Sequence, residues 1–176
     1  MNSARYDYLM EMRQQVLDAT NLSSVLKKIP LADLEAVLTQ EPKNSASGTL
    51  SPLVNSIYEA YSGSKSLATM LNALSHVPDF QMDNFLNTHQ VKKDPDFKGN
   101  TLYMVAARFA HTDCMELLVS YGYNPSLKVS VKGKTISPKS LINEFIKPIE
   151  GQKALKDFHD DLILKFKDKN KPKMKM

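Results

Sequence analysis

Apolar residues along the chain recur at intervals of three and four, the spacing that gathers them on one face of an α-helix. From Arg5 to Ala19 they fall at Tyr6, Leu9, Met10, Val16 and Leu17, with Arg13 between them. A shorter stretch, Leu22 to Ile29, stops at Pro30, and "LADLEAVLTQ" then aligns Leu31, Leu34, Val37 and Leu38. The turn-rich "EPKNSASGT" breaks the pattern. Beyond it Pro52 suits the first turn of a helix with Ser51 as N-cap, and Leu53, Ile57, Ala60 and Tyr61 form a stripe. After "SGS", Leu67, Met70, Leu71 and Leu74 form another, which predicts an antiparallel helix pair. "HVPDF" ends that pair, and "MDNFLNTHQ" has room for a further turn or two of helix.

The second half has the same plan. Asp96 to Asn100 reads as a turn containing Gly99, and Thr101 to Phe109 as a helix with Met104, Val105 and Ala107. His111 and Thr112 make a break before a helix from Asp113 to Tyr121 that carries Met115, Leu117 and Leu118. Gly122 stands where a helix end favours a residue able to turn left-handed. "KVSVKGKT" predicts a Gly-centred turn, and "SPKSLINEFI" a helix. "GQKALKDFHDDLILKF" predicts a final helix with Leu155, Phe158, Leu162 and Phe166 on one face. Alternating β-branched residues are hard to find, so the expected fold class is all-α.

Asp96, Gly99, Thr101, Ala106, Ala107, His111, Leu117, Leu118 and Gly122 stand, without a gap, at the offsets of D-x-x-G-x-T-P-L-H-x-A-A, G-H, a leucine pair and G-A-D. The stretch from Asp96 to Pro125 therefore resembles an ankyrin repeat. "GNT" ends at Thr101 and "GKT" at Thr135, an interval of 34 residues, next to the ankyrin period of about 33. The departures are Leu102, Tyr103 and Met104 for P-L-H, Ala110 for the interhelical glycine, and Tyr123–Asn124 for A-D. Ser51–Pro52–Leu53 looks like a second T-P-L start, and the Thr135 unit has Ser137–Pro138 instead of the alanine pair.

The resemblance implies three to four degenerate repeats stacked as a helical-pair solenoid, because one helix pair cannot bury its apolar face alone. Residues 31–42 would form the outer helix of a cap, and helices at 5–19 and 153–166 would close the two ends. The expected organisation is one helical domain over 1–164 followed by a flexible Lys-rich tail over 165–176.

The resemblance also implies a function, a non-catalytic module that binds a partner protein on a concave face. The family's variable positions correspond to Phe97, Lys98, Asn100, Val105, Arg108 and Phe109, continued by Val131, Lys132 and Lys134, with Asn55, Tyr58 and Glu59 in the preceding unit. Tyr58, Phe97, Arg108 and Phe109 stand out because aromatics and arginine are enriched among interface anchors. Eroded repeats with a Lys-rich end resemble effectors that intracellular bacterial pathogens deliver into host cells. Such a partner would be a host protein or an enzyme whose activity is adjusted.

A chain of 176 residues, 42% apolar and 24% charged, has the composition of a soluble globular domain with a sizeable core. Its net charge of +4 is unevenly spread. The last twelve residues hold Lys165, Lys167, Lys169, Lys171, Lys173 and Lys175 against Asp168 alone, so the body is near neutral. That tail offers an alternative function, weak electrostatic attachment to nucleic acid or an anionic membrane. Without interleaved aromatics or arginines it carries no signal of base recognition.

Candidate chemistry is sparse. Cys114 is the single cysteine, which excludes an intramolecular disulfide, fits a reducing intracellular setting and reads as a structural thiol. His76, His89, His111 and His159 lack zinc-site spacing, and His111 falls at the repeat's interhelical turn. In "DFHDD", Phe158 and Leu162 share a face and leave Asp157, Asp160 and Asp161 toward solvent. "GSKS" is too short for a phosphate loop, and no nucleophile elbow occurs. No catalytic residue, metal or cofactor is expected. No apolar run reaches the roughly 20 residues that span a bilayer. The N-terminus lacks a signal peptide's basic start and apolar middle. The expected location is cytoplasmic, and delivery into a host cell by a route that ignores such signals is compatible with this.

Overall fold

The computed structural model of the chain describes residues 3–39, 51–58, 66–91 and 97–170. The described elements run α1 (Ser3–Asp18), α2 (Leu22–Leu26), α3 (Leu31–Thr39), α4 (Pro52–Tyr58), α5 (Leu67–Ser75), α6 (Met82–Thr88), α7 (Leu102–Arg108) and α8 (Thr112–Ser120). They continue with β1 (Val129–Val131), β2 (Lys134–Ile136), α9 (Pro138–Phe145) and α10 (Ile149–Lys169). The protein is mostly helical, in agreement with the apolar spacing. Asp96, Glu59, Ala60 and Tyr61, and the lysines at 171, 173 and 175, lie outside the described residues.

Where one domain was expected, contacts divide the chain into two compact units. The N-terminal unit comprises residues 1–85 and 91–98, and the C-terminal unit residues 86–90 and 99–176. In the N-terminal unit α1 packs on α2, α3 and α4, α3 packs on α4, and α5 packs on α4 and α2. Its core is aliphatic: Leu34, Val37, Leu38, Leu53, Ile57, Leu71 and Leu74 are all buried. Each such side chain contributes about 1.5–3 kcal/mol by leaving water. Arg13 belongs to the buried face of α1 with Leu9 and Val16, and burial pulls its pKa down while nearby Tyr6 acts the other way. Arg5 of α1 pairs with Asp33 of α3, and the guanidinium holds that carboxyl below its usual range.

In the C-terminal unit α7 packs on α8 and α9, and α10 packs on α9 and α8. Every residue from Leu102 to Ala107 is buried, so α7 is the central helix of this unit. "KVSVKGKT" is more than a turn. Val129–Val131 and Lys134–Ile136 pair antiparallel with Val129 opposite Ile136 and Val131 opposite Lys134. Lys132 and Gly133 both take positive φ, 50° and 77°, the conformation of a two-residue hairpin turn. Val129 packs with Met104 and Leu141, and Val131 and Ile136 lie against that cluster.

The Lys-rich segment departs from expectation. Residues 165–169 are the last turn of α10 rather than the start of a flexible tail. Lys165 reaches Glu116 at 3.2 Å, and Lys169 donates to the Ser120 carbonyl at 3.3 Å. Cations at a helix C-terminus also interact favourably with its dipole.

Candidate functional site

The helix pair of the C-terminal unit is held by local features at each of its corners. Thr101 caps α7, its hydroxyl accepting from the Met104 amide at 3.3 Å. Gly99 before it has φ +85°, and a Cβ there would come within 2.2 Å of Val131 Cγ2. The turn and the hairpin therefore approach each other closely enough to require glycine. Between the helices Ala110 occupies the left-handed region at φ 57°. A glycine would adopt this conformation without strain. His111 is the N-cap position of α8, yet its side chain makes no capping bond there. Its backbone amide donates to Ala106 O at 3.0 Å. After α8, Asn87 of α6 clamps the next turn, donating to Gly122 O at 2.9 Å and accepting from the Asn124 amide at 2.8 Å.

Two of the departures from the repeat pattern account for one another. Tyr103 and Tyr123, standing where the pattern has Leu and Ala, stack with ring centroids 4.7 Å apart and planes inclined by 12°. Tyr123 OH lies 2.8 Å from Thr101 Oγ1, and Tyr103 OH lies 2.8 Å from His159 Nδ1. Burial pushes both phenols well above their usual range. Burial also pulls the His159 imidazole down, with Lys139 acting in the same direction and Asp160 against it. These groups bond to one another in the dark of the core and are shielded from any substrate.

His159 is thus a correction to the reading of "DFHDD". The residue is 2% exposed, and Leu155, His159 and Leu162 form the buried face of α10, while Phe158 is only half-buried. A polar residue at an inward position lowers the apolar signal, so periodicity favoured the phenylalanine beside it. Asp157 and Asp161 are exposed, and Asp160 pairs with Lys139 at 2.7 Å.

Several residues expected on the contact surface are buried instead. Phe97 is 5%, Asn100 4% and Val105 0% exposed, so none is available to a partner. For Val105 the reason is that α7 is covered by both α8 and α9. Lys98, Lys132 and Lys134 are exposed, and Asn55 and Val131 are half-buried. Tyr58 ends α4, and its side chain and Glu59 lie outside the described residues. Arg108 and Phe109 are half-buried at the end of α7. The Arg108 guanidinium carbon lies 3.8 Å from the centroid of Phe145, and the Phe109 and His111 rings are 6.0 Å apart.

Phe145 was not anticipated. It is the last residue of α9 and 39% exposed; it continues the helical spacing of Leu141 and Ile142, but nothing in that spacing marks Arg108 as its partner. Lys128 was also missed; it adds a third exposed lysine beside Lys132 and Lys134. The available signal was the absence of any acidic residue between Glu116 and Glu144.

Cys114 is buried on α8, and burial, with Asp113 alongside, raises its thiol pKa. A protonated thiol is a poor nucleophile. A hollow between α1 and α2 is lined by Glu11, Gln14, Gln15 and Asp18, but Gln14 already donates to Asp18 at 2.9 Å. Among the described residues no group of three or more His, Cys, Asp or Glu side chains could hold a metal ion. None of the described helices is long and apolar enough to cross a membrane.

No protein-family model matches the chain, and neither curated proteins nor solved structures include a detectable relative.

Proposed function

We propose that the chain is a non-catalytic protein-interaction module whose C-terminal unit presents an ankyrin-like surface to a partner protein. The observation that carries this reading is the order of local parts: a glycine turn, a Thr-capped helix, a second helix, a hairpin and a Ser-capped helix. Ser137 caps α9 in a reciprocal box with Ser140, and Pro138 opens the helix. That motif corresponds to Thr101–Leu102, and on this reading the following repeat starts at Ser137, since Thr135 is paired in β2. Measured from Thr101 to Ser137 the interval is 36 residues rather than 34.

The surface that remains after burial is smaller than the one first drawn. Arg108 stacked on Phe145, with Phe109 beside it, forms a cation–aromatic group at the end of α7. A preformed surface of this kind loses little conformational entropy on binding. The partner is a protein, in the effector reading a host protein or an enzyme under regulation.

The test is capture of a partner by the intact chain, by Arg108→Ala/Phe109→Ala, and by a chain ending at Asn170. Loss of the same partner in the double variant alone supports the reading. Loss only on removing residues 171–176 favours attachment of the tail to nucleic acid or anionic lipid. Capture unchanged by both variants removes both readings.

A further inference from the structure

We infer that the β1–β2 hairpin is a docking site for an acidic segment of a partner protein, held by the ammonium groups of Lys128, Lys132 and Lys134. This rests on the interaction reading above and names the chemistry of the partner. No acidic residue occurs from Leu117 to Asn143, and four lysines do. Of these, Lys139 is engaged by Asp160. The other three are exposed, and no ion pair among the described residues reaches them.

The hairpin that carries these charges is anchored to the core. Val129, packed with Met104 and Leu141, anchors one strand, and Val131 and Ile136 lie against the same cluster. Gly99 allows the preceding turn to close on Val131. Alternation along the strands sends Ser130 and its partner Thr135 to the opposite face, where both are exposed hydroxyls. Lys132 stands at the tip with φ 50°. Asn or Gly supplies that left-handed conformation with less strain. A lysine kept in a left-handed position on an anchored hairpin, with no ion pair among the described residues, points to recognition.

Charge complementarity calls for an anion, and the extent of the patch favours a short acidic peptide segment over nucleic acid. The hairpin itself has no arginine and no aromatic ring to stack on a base. Glu144 of α9 and Glu150, Asp157 and Asp161 of α10 are exposed, so the positive surface does not extend as a track for a phosphate backbone. The C-terminal unit as a whole holds fourteen Lys and Arg against eight Asp and Glu, compared with nine against eleven in the N-terminal unit.

The experiment is fluorescence anisotropy on the full chain, with a labelled peptide of alternating Glu and Asp and a single-stranded DNA of equal charge as probes. Lys128→Gln/Lys132→Gln/Lys134→Gln is expected to weaken peptide binding about tenfold at low salt, and wild-type binding is expected to fall as salt rises. Lys171→Gln/Lys173→Gln/Lys175→Gln is expected to leave peptide binding unchanged. Lys132→Asn should raise the thermal midpoint while weakening the peptide, which separates strain relief from loss of charge. A wild-type chain that ignores the peptide, or a hairpin variant that binds it normally, overturns the inference. So does hairpin-dependent binding that is tighter for DNA than for the peptide. A partner lost by Arg108→Ala/Phe109→Ala but kept by the hairpin variant leaves the interaction reading standing and removes this one.

Discussion

The N-terminal unit closes around Leu34, Val37, Leu38, Leu53, Ile57, Leu71 and Leu74, whereas the centre of the C-terminal unit stacks two tyrosines and ties one of them to a histidine. Aliphatic burial is non-directional and scales with area. Its loss is felt in proportion to the volume removed. A buried hydroxyl or imidazole must instead find its own partner, and losing one member strands the other. The first unit is therefore specified mainly by shape, and the second by shape plus the match of Thr101, Tyr103, Tyr123 and His159. The ion pair of the first unit, Arg5 with Asp33, joins a largely exposed arginine to a mostly covered carboxylate, where solvent limits its contribution.

The largest effect is expected at the shape-specified core. Leu34→Ala should cost about 2–5 kcal/mol, read as a lower unfolding midpoint. Hydrogen exchange should show the loss of protection concentrated in α1, α3 and α4. Equal loss across α7–α10 would show that the two units unfold as one body and would break the comparison.

Gly99→Ala comes next, since positive φ and the collision with Val131 together should cost about 2–3 kcal/mol. Val131→Ala in the same chain should recover part of that loss in chemical denaturation. No recovery would mean that the close approach is not what requires glycine.

Tyr103→Phe removes one hydroxyl and leaves the buried His159 Nδ1 without its bond, which should cost about 1–3 kcal/mol. Tyr103→Phe combined with His159→Phe should cost less than the two single changes added together. Additive losses in that double-mutant cycle would argue against a coupled pair.

Acidification should separate the units by the pH at which they weaken. His159 has a lowered pKa in the folded chain, so the unfolded state takes up a proton more readily. Its stabilising contribution is present above the ordinary value of 6.5 and is lost as pH falls from there through the folded value. His111, also lowered by burial, adds in the same direction. Asp33 has a lowered pKa beside Arg5, so its contribution is complete above 3.8 and is lost only as pH falls below that. Protection of α10 amides should thus decline at a higher pH than protection of α1 and α3. The reverse order would contradict the assignment of His159 as a neutral buried group.

The smallest effect is expected at Ala110. Ala110→Gly should relieve left-handed strain and stabilise the chain by about 0.5–1 kcal/mol after the entropy of the added glycine is subtracted. A lower thermal midpoint would show that the φ of 57° carries no strain.

Much of the element order was legible because apolar spacing is local. Steps of three and four mark a helix wherever they occur, and Pro52, Gly99, Thr101, Ser137 and Gly122 mark corners by their backbone preferences. The candidate surface was less legible. Val105 and Arg108 lie three residues apart on one helix, yet the first is buried and the second half-exposed. Their difference depends on how α8 and α9 pack on α7, and α9 folds back from much further along the chain. Phe145 escaped notice for the same reason: its importance lies in the guanidinium above it.

By itself, then, the sequence determined the helical class, the positions of most elements, the turn chemistry and the concentration of lysine after Glu116. These depend on interactions within a few residues, where propensity and periodicity act. Only the tertiary structure decided that Tyr103 stacks on Tyr123, that His159 faces inward, and which lysines form ion pairs among the described residues. Each of these depends on contacts between residues distant in the chain. A polar side chain carries no mark of whether a partner will be waiting for it in the core.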